Sequence, residues 1–239
     1  MPNGRTPPTS IYVMAYDQCD ELDVVGPCGV FAAANFFLSQ KRSDDDPQPR
    51  GKTFTVRVVA VDDSGAVEAQ GPAGPLYFVT GIQGLTLGVE PWDGDDLPDL
   101  LFVAGGNTEA GTGIRRQAEN KAFIGAIARQ HTAGKQVVSL CTGVLGLLKA
   151  GILRGRRITG HPDVLNELVQ SGAHVFNPDW EARVVDDGDL ITAGGVTSGI
   201  DEALHIVRAF WPDDPQLESD VRDFIDFRYR SPIIGPPSS

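Results

Sequence analysis

The strongest candidate for chemistry in this sequence is Cys141, which stands between a short apolar run and a longer apolar stretch. Residues 137–140 are β-prone, and residues 144–150 carry apolar side chains at helical spacing. A sharp turn between them would put the thiol at the amino end of a helix, where free N–H groups and the helix dipole favour a negative sulfur. This pattern is typical of a nucleophile elbow with cysteine in place of serine. A buried structural cysteine explains the same pattern equally well.

Three more candidate groups follow predicted strands, the position where α/β folds carry functional side chains. Asp23 stands between apolar neighbours after the first strand, where an ordinary loop aspartate or a helix cap is the alternative. Gly105 and Gly106 end a strand, so their backbone N–H groups could approach a ligand or a developing anion, although a tight turn would need them too. His161 ends a short strand and could activate the thiol as a base, although histidines at strand ends often have no role.

Composition and motifs argue against several classes of function. The formal net charge of −12 repels phosphate backbones, and the small group of Arg154, Arg156 and Arg157 does not offset it, so we expect no nucleic-acid partner. The four histidines lack metal-ligand spacing among themselves or with the cysteines, so we expect no metal. No Walker A, G-x-G-x-x-G or G-x-S-x-G motif occurs, and we expect no cofactor.

Cysteine usage and the apolar runs predict a location. The three cysteines are an odd number without CxxC spacing, which suits a reduced, cytoplasmic compartment. No uninterrupted run of about 18 apolar residues occurs, so we expect no membrane span. The polar, proline-bearing start has no secretory signal.

The order of the predicted elements indicates an α/β fold. We expect strands at 11–15, 54–61, 99–107, 137–140 and 157–161, a small hairpin layer within 62–90, and a hairpin turn at 186–189 flanked by 181–185 and 190–193. We expect a helix with Pro27 in its first turn, and further helices at 121–132, 144–150, 162–170, 198–210 and 216–227, with a solvated loop at 39–52. This alternation predicts one mostly parallel sheet with helices on both faces. We expect a single domain over residues 1–239, with its core at about 10–211 and a helix and tail at 212–239.

Four stretches, each weak alone, occur in an order that makes the sequence resemble the DJ-1/PfpI superfamily, also called class I glutamine-amidotransferase-like. They are Glu21-Leu22-Asp23-Val24-Val25-Gly26-Pro27, Val103-Ala104-Gly105-Gly106, Ser139-Leu140-Cys141-Thr142-Gly143 and residues 191–204. Residues 150–159 also resemble the segment after the elbow helix of this family. Within the superfamily, Leu-Asp-x-x-Gly-Pro with Cys-Thr-Gly is most similar to isonitrile (isocyanide) hydratases and to the amidotransferase-like domains of AraC-type transcription regulators. Because only about thirty residues follow the last motif, we expect a stand-alone enzyme.

The resemblance implies a flavodoxin-like three-layer sandwich with the cysteine elbow at the edge of its sheet. It also implies that Cys141 is the nucleophile, that Asp23 is its acidic partner, and that backbone N–H groups of Gly106 and Thr142 form an oxyanion site beside Gly105. A neutral Asp23 carboxyl could donate a hydrogen bond to the thiolate and then act as general acid. The implied reaction is attack of the thiolate on the terminal carbon of an isonitrile, followed by release of an N-substituted formamide with the help of water.

One segment departs from these relatives. Gly160-His161-Pro162 stands where the hydratase and regulator groups usually have Thr-His-Trp, and His-Pro is closer to the DJ-1 branch. Glyoxalase, deglycase or oxidative-stress functions, with Cys141 as an oxidisable group, therefore stay open, as does a non-catalytic ligand-binding domain. The Cys-His pair of PfpI proteases is not matched, because Thr142 follows the cysteine. The resemblance further implies a small-molecule substrate and a homodimer, to which the tail from residue 229 to 239 could contribute.

Overall fold

A computed structural model describes residues 7–40, 53–62, 64–71, 74–177, 181–228 and 232–236. Its strands are β1 (Ser10–Met14), β2 (Thr55–Ala60), β3 (Val67–Gly71), β4 (Gly74–Thr80), β5 (Thr86–Pro91), β6 (Leu100–Val103), β7 (Gln136–Leu140), β8 (Arg157–Ile158), β9 (His174–Val175), β10 (Val184–Asp186), β11 (Leu190–Ala193) and β12 (Ile233–Ile234). Its helices are α1 (Glu21–Gln40), α2 (Gly113–Gln117), α3 (Lys121–Thr132), α4 (Val144–Lys149), α5 (Leu165–Gln170), α6 (Ser198–Phe210) and α7 (Leu217–Phe224).

Ten strands form one sheet in the order β12-β10-β11-β7-β6-β1-β2-β5-β4-β3. The six central strands from β11 to β5 run parallel, whereas β10 is antiparallel to β11 and β4 is antiparallel to β5. β8 and β9 form a separate two-stranded parallel sheet. The predicted mostly parallel sheet is confirmed, and the carboxyl ends of β1, β6 and β7 meet at one edge of it.

Helices cover both faces of this sheet. α1, α6 and α7 pack on one another on one face, while α2, α3 and α4 pack together on the other. Because both faces are covered, β6 and β11 are buried along their whole length, and β7 is buried from its second residue onward. Such strands have continuous apolar sequences rather than alternating ones, which is why residues 100–103 and 137–140 were recognisable as strands.

The start of α1 differs from the sequence prediction. The helix begins at Glu21, so Pro27 lies inside it rather than in its first turn. Asp23 therefore belongs to the first helical turn and not to a loop. Pro27 has no N–H to donate to the carbonyl of Asp23, its partner one turn back, and the helix accepts this loss. The contact that Pro27 makes with Gly199 of α6 accounts for its place there, since a Cβ on Gly199 would lie 3.3 Å from Cγ of Pro27.

Three strands also differ from the sequence prediction. β5 was not predicted, and β12 lies in the tail that was expected to be free for a partner subunit. β12 instead pairs in parallel with β10, so the described part of the tail completes the sheet of its own chain. The prediction that His161 ends a strand at the main edge is wrong, because β8 stops at Ile158 and pairs with β9. Most of the predicted loop at 39–52 lies outside the described residues.

α1 has the length and composition of a membrane-spanning helix, with a mean hydropathy of 1.5 over 18 residues. Polar residues such as Asp23 and Asn35 interrupt the apolar residues of α1, so it contains no uninterrupted apolar run of that length. In the structure α1 packs against α6, α7 and β2, and Val30, Phe31 and Ala34 are buried there. A helix that covers a sheet needs the same apolar composition, so its packing accounts for its hydropathy.

Candidate active site

The elbow at the end of β7 has the sharp turn that the sequence predicts. Cys141 adopts φ 60°, a left-handed conformation, and a 3₁₀ turn over Cys141–Gly143 leads into α4. A non-glycine residue in this conformation costs about 1–2 kcal/mol, and such strain is concentrated at functional sites. Gly143 permits the turn, because a Cβ there would collide with the carbonyl oxygens of Val103 and Ala104. Cys141 is 5% exposed.

The Asp23 carboxyl reaches this elbow from the first turn of α1. Its Oδ2 accepts a hydrogen bond of 2.8 Å from the backbone N–H of Gly105, which follows β6. A Cβ on Gly105 would lie 2.7 Å from this oxygen and 2.8 Å from Cβ of Cys141. The missing side chain of Gly105 therefore allows residues distant in the sequence, Asp23 and Cys141, to approach each other.

Burial controls the protonation of both groups. The pKa of Asp23 is raised well above its usual value, first by burial and then by the charge of Asp20, while the Gly105 N–H and the Cys141 thiol oppose the rise. The pKa of Cys141 is also raised, first by burial and then by the charge of Asp23, and the N–H groups of Thr142 and Val196 oppose this rise. When Asp23 is protonated it no longer repels the sulfur, and its O–H can donate to the thiolate. The two side chains can thus share a single negative charge.

Thr142 and Gly106 bond to each other. The N–H of Gly106 donates to Oγ1 of Thr142 at 2.9 Å, and this hydroxyl donates to the carbonyl of Gly106 at 2.9 Å. The resemblance implies an oxyanion site that includes the Gly106 N–H. In the structure this N–H already donates to Thr142. The N–H of Thr142 faces the Cys141 sulfur. Thr142 holds the turn at Gly106 against the elbow.

His161 touches the elbow through its backbone. Its N–H donates to the carbonyl of Cys141 at 3.1 Å. Its Nδ1 accepts from the N–H of Asp163 at 3.3 Å and also lies 3.5 Å from Oδ2 of Asp163. The ring lies against Gly195, where a Cβ would be 3.4 Å from Cδ2 of the imidazole. The ring thus lies beside the loop that presents Val196 to the sulfur, although the strand expected to place it is absent.

The structure adds neighbours that the sequence analysis did not single out. Tyr16 is fully buried, and its hydroxyl donates to the carbonyl of Ala104 at 2.8 Å, next to Gly105. Asp20 caps α1 by accepting from the N–H of Leu22 at 3.0 Å. Glu202 on α6 is fully buried, and the charge of Asp23 acts on it. The sequence could have indicated the burial of Glu202, since it shares a helical face with apolar residues.

A cavity of about 280 Å³ opens beside Gly106. It is lined by Asp17, Gln18, Thr80, Gly81, Ile82 and Asn107. Nδ2 of Asn107 donates to Oε1 of Gln18 at 2.9 Å, and Gln18 itself adopts φ 61°. This space lies past the ends of β1 and β6, and none of Cys141, Asp23, Thr142 and His161 lines it. Within the described ranges, His, Cys, Asp and Glu form no group of three that could hold a metal.

Comparison with known proteins agrees with this fold. A model of the DJ-1/PfpI family matches residues 9–209. Isonitrile hydratase from Pseudomonas putida is 36% identical over 116 residues, which are 48% of this chain and 47% of that protein. A deglycase from Pyrococcus abyssi is 31% identical over 120 residues, 48% of this chain and 66% of that protein. The alignments with these relatives thus cover less than two thirds of their lengths.

Solved structures show the same architecture. A THiJ/PfpI family protein from Pseudomonas syringae superimposes with a TM-score of 0.71 at 22% identity, over 98% of this chain and 79% of that chain. Drosophila melanogaster DJ-1beta superimposes with a TM-score of 0.69 at 17% identity, over 92% of this chain and 99% of that chain. At these identities the likeness shows the fold alone.

Proposed function

Because this chain belongs to the DJ-1/PfpI family, we propose that it hydrates an isonitrile to an N-substituted formamide, as a lyase with Cys141 as its nucleophile. The observation that carries the proposal is the approach of a buried carboxyl, Asp23, to a cysteine in a left-handed elbow. Burial raises the pKa of this carboxyl well above its usual value, which favours its protonated form, and isonitrile hydration needs a proton delivered to carbon. The similarity to isonitrile hydratase supports this choice of substrate.

The first half of the reaction adds the thiol across the isonitrile carbon. The Cys141 sulfur attacks the terminal carbon, which forms a C–S bond, and the same carbon gains a proton from Asp23. The thiol proton passes to Asp23, so the carboxyl is neutral again. The product is a thioimidate in which carbon is bonded to sulfur, hydrogen and the substituted nitrogen. N–H groups of Thr142 and Val196 stabilise the sulfur while it is negative.

The second half returns the enzyme with one water consumed. Asp23 first gives its proton to the thioimidate nitrogen, which supplies the formamide N–H, and the resulting carboxylate then accepts a proton from the water that adds to the carbon. The C–S bond then breaks and the carbon–oxygen double bond forms, with the hydroxyl proton passing to the sulfur through Asp23. Cys141 leaves as thiolate and recovers its proton through Asp23. In this scheme Thr142, Gly105, Gly106 and His161 hold the elbow and the substrate in place.

Formamide production is the direct test. The protein is mixed with an aliphatic isonitrile, and the formyl proton of the product is followed by NMR. We expect turnover by the wild-type protein and none by Cys141→Ala. Cys28→Ala is the matched control, since Cys28 is a half-buried free cysteine of α1, and it should retain turnover. Equal formamide from the Cys141 variant, or none from the wild-type protein, would refute the proposal.

A second function, conversion of 2-oxoaldehydes by a glyoxalase or deglycase activity, is favoured by one feature of the chain. His161-Pro162 departs from the hydratase pattern, and the chain is similar to a deglycase. Lactate formed from methylglyoxal by the wild-type protein, and not by Cys141→Ala, would select this function. Binding of either substrate without turnover would instead select a ligand-binding domain related to AraC-type regulators.

We further infer that the protein acts on its small-molecule substrate as a cytoplasmic homodimer. The free cysteines at 19, 28 and 141 suit a reducing compartment. Exposed apolar side chains on α1, such as Val25 and Phe36, offer a surface to a second subunit. Solution scattering that gives the mass of one chain would contradict the dimer.

A further inference from the structure

The loop of residues 194–197 joins β11 to α6 beside the Cys141 elbow. β11 lies parallel to β7, and Ala193, the last residue of β11, is opposite Leu140, the last residue of β7. The loop and the elbow therefore leave neighbouring strands at the same level of the sheet. The start of α6 also lies against the end of β7, since a Cβ on Gly199 would be 2.4 Å from Cδ2 of Leu140.

Two contacts join this loop to the elbow itself. The first runs through His161, because a Cβ on Gly195 would lie 3.4 Å from Cδ2 of its ring, and its N–H donates to the carbonyl of Cys141 at 3.1 Å. The second is direct, since the N–H of Val196 faces the Cys141 sulfur and favours the thiolate. A displacement of the loop would therefore move a donor away from the sulfur.

The Arg183 side chain holds the far end of this loop. Arg183 precedes β10, the strand beside β11, and its carbonyl accepts from the N–H of Gly194 at 2.9 Å. Its Nε donates to Oγ of Ser198 at 3.0 Å, and its Nη2 donates to Oγ1 of Thr197 at 2.7 Å. The guanidinium is planar, so these two donors are fixed relative to each other. One residue thus bonds both ends of the loop and the first residue of α6.

Arg183 is itself fixed from two further sides. Asp201, in the first turn of α6, is 2% exposed, and its Oδ2 lies 3.6 Å from Nη2 of Arg183. The backbone N–H of Arg183 donates to the carbonyl of Pro232 at 3.1 Å, just before β12. An exposed arginine that moves freely in solvent would order nothing, whereas this guanidinium lies between a buried acid and two hydroxyls.

We propose that Arg183 is a positioning residue that fixes the loop of residues 194–197 against the Cys141 elbow. This inference rests on the proposed role of Cys141 as the nucleophile. With the loop fixed, the N–H of Val196 is in place before the sulfur becomes negative, so the protein need not reorganise at that moment. Arg183 acts through the loop and transfers no proton, so the balance of the reaction is unchanged.

Alkylation of Cys141 by iodoacetamide tests the inference without substrate. The rate at pH 8 is followed by the mass of the peptide that carries Cys141. Loss of the Val196 donor should raise the pKa of the thiol, and the smaller thiolate fraction outweighs the higher nucleophilicity of the sulfur. We therefore expect alkylation to slow about twofold to fourfold in Arg183→Met. Arg208→Met is the matched control, since Arg208 is an exposed arginine of α6, and it should keep the wild-type rate.

A second variant separates the loop from the ion pair. Thr197→Val combined with Ser198→Ala removes both hydroxyls that Arg183 bonds, and it leaves Arg183 and Asp201 in place. We expect this double variant to slow alkylation by a similar factor. It also supplies the test if Arg183→Met does not fold, because the charge of Asp201 keeps its partner.

Three results would overturn the inference. Faster alkylation in Arg183→Met would mean that Arg183 shields the thiol, and an unchanged rate would mean that it only stabilises β10 and α6. A slower rate in Arg183→Met with a wild-type rate in the double variant would assign the effect to the ion pair with Asp201. In the formamide assay we expect Arg183→Met to lower kcat about threefold to tenfold with KM nearly unchanged. A wild-type protein without turnover would refute the proposed reaction, whereas alkylation would still decide the role of Arg183.

Discussion

Replacing Gly105 by alanine tests whether the site depends on the close approach of Asp23 and Cys141. A Cβ at this position would lie 2.7 Å from Oδ2 of Asp23, 2.8 Å from Cβ of Cys141 and 2.8 Å from the backbone N of Thr142. Non-bonded heavy atoms are most stable at about 3.5–4.0 Å. The three groups must therefore separate by more than half an ångström, and backbone is among them.

The cost follows from this overlap. Overpacking a well-packed site costs about 1–3 kcal/mol. For a chain of this size each kcal/mol lowers Tm by about 2–4 °C, so we expect a decrease of about 2–12 °C in calorimetry. Gly29→Ala is the matched control, because Gly29 lies within α1 and a Cβ there meets nothing within 4 Å. It should raise the free energy of unfolding by about 0.5–1 kcal/mol.

Turnover is expected to fall more than stability. A misplacement of about 1 Å between reacting groups costs about a hundredfold in rate, so formamide production by folded Gly105→Ala should fall by about that factor. Gly29→Ala should keep the wild-type rate. A Gly105→Ala protein with both wild-type Tm and wild-type turnover would show that the carboxyl and the thiol need not approach through this gap, and the reasoning would fail.

Three further predictions follow from contacts around the site. The raised pKa of Glu202 means that the folded state holds a proton that the unfolded state loses above pH 4.5. The free energy of unfolding should therefore fall by about 1.4 kcal/mol per pH unit above pH 4.5, until the pKa of the folded state is reached. Urea unfolding at pH 5 and 7 should show this pH dependence in the wild-type protein and not in Glu202→Gln. Thr142→Val should lower the free energy of unfolding by about 1–2 kcal/mol and lower kcat, because both bonds to Gly106 are lost, and a Thr142→Ser protein that behaved like Thr142→Val would contradict this. Tyr16→Phe should cost about 1 kcal/mol, since it leaves the buried carbonyl of Ala104 without its donor; unchanged chemical denaturation would argue against it.

Local patterns in the sequence were sufficient for several elements. The helices α3 and α6 have the bounds that their apolar periodicity predicts, at Lys121–Thr132 and Ser198–Phe210. The strand β7 and the sharp turn at Cys141 also follow the prediction, and β6 lies within the predicted strand but ends at Val103, before the two glycines. In each case the information lies within about a dozen consecutive residues, in apolar spacing or in a turn between a strand and a helix. The family resemblance, confirmed by the match over residues 9–209, added Asp23 as the expected partner.

Other features depended on residues brought together from distant parts of the chain. α1 begins before Pro27, because its apolar face packs on α6 and β2 and Asp20 caps its start. β12 is too short and too irregular in sequence to be recognised, and it becomes a strand only because β10 provides an open edge for it. His161 lies by the elbow through a hydrogen bond to the carbonyl of Cys141, although β8, the strand before it, belongs to another sheet.

The sequence by itself determined which groups are available: a cysteine at an elbow, a carboxyl among apolar neighbours, and two glycines after a strand. Tertiary structure decided their chemical state. The pKa of Asp23 is raised because helices and sheet exclude water around it. The Gly106 N–H is occupied because Thr142, in the turn after β7, accepts its hydrogen bond. Burial and hydrogen-bond partners are properties of the packed arrangement, and no local pattern specifies them. Glu202 is the clearest case, since a glutamate on a helix is ordinary in sequence, and only packing buries it completely and raises the pKa of its carboxyl.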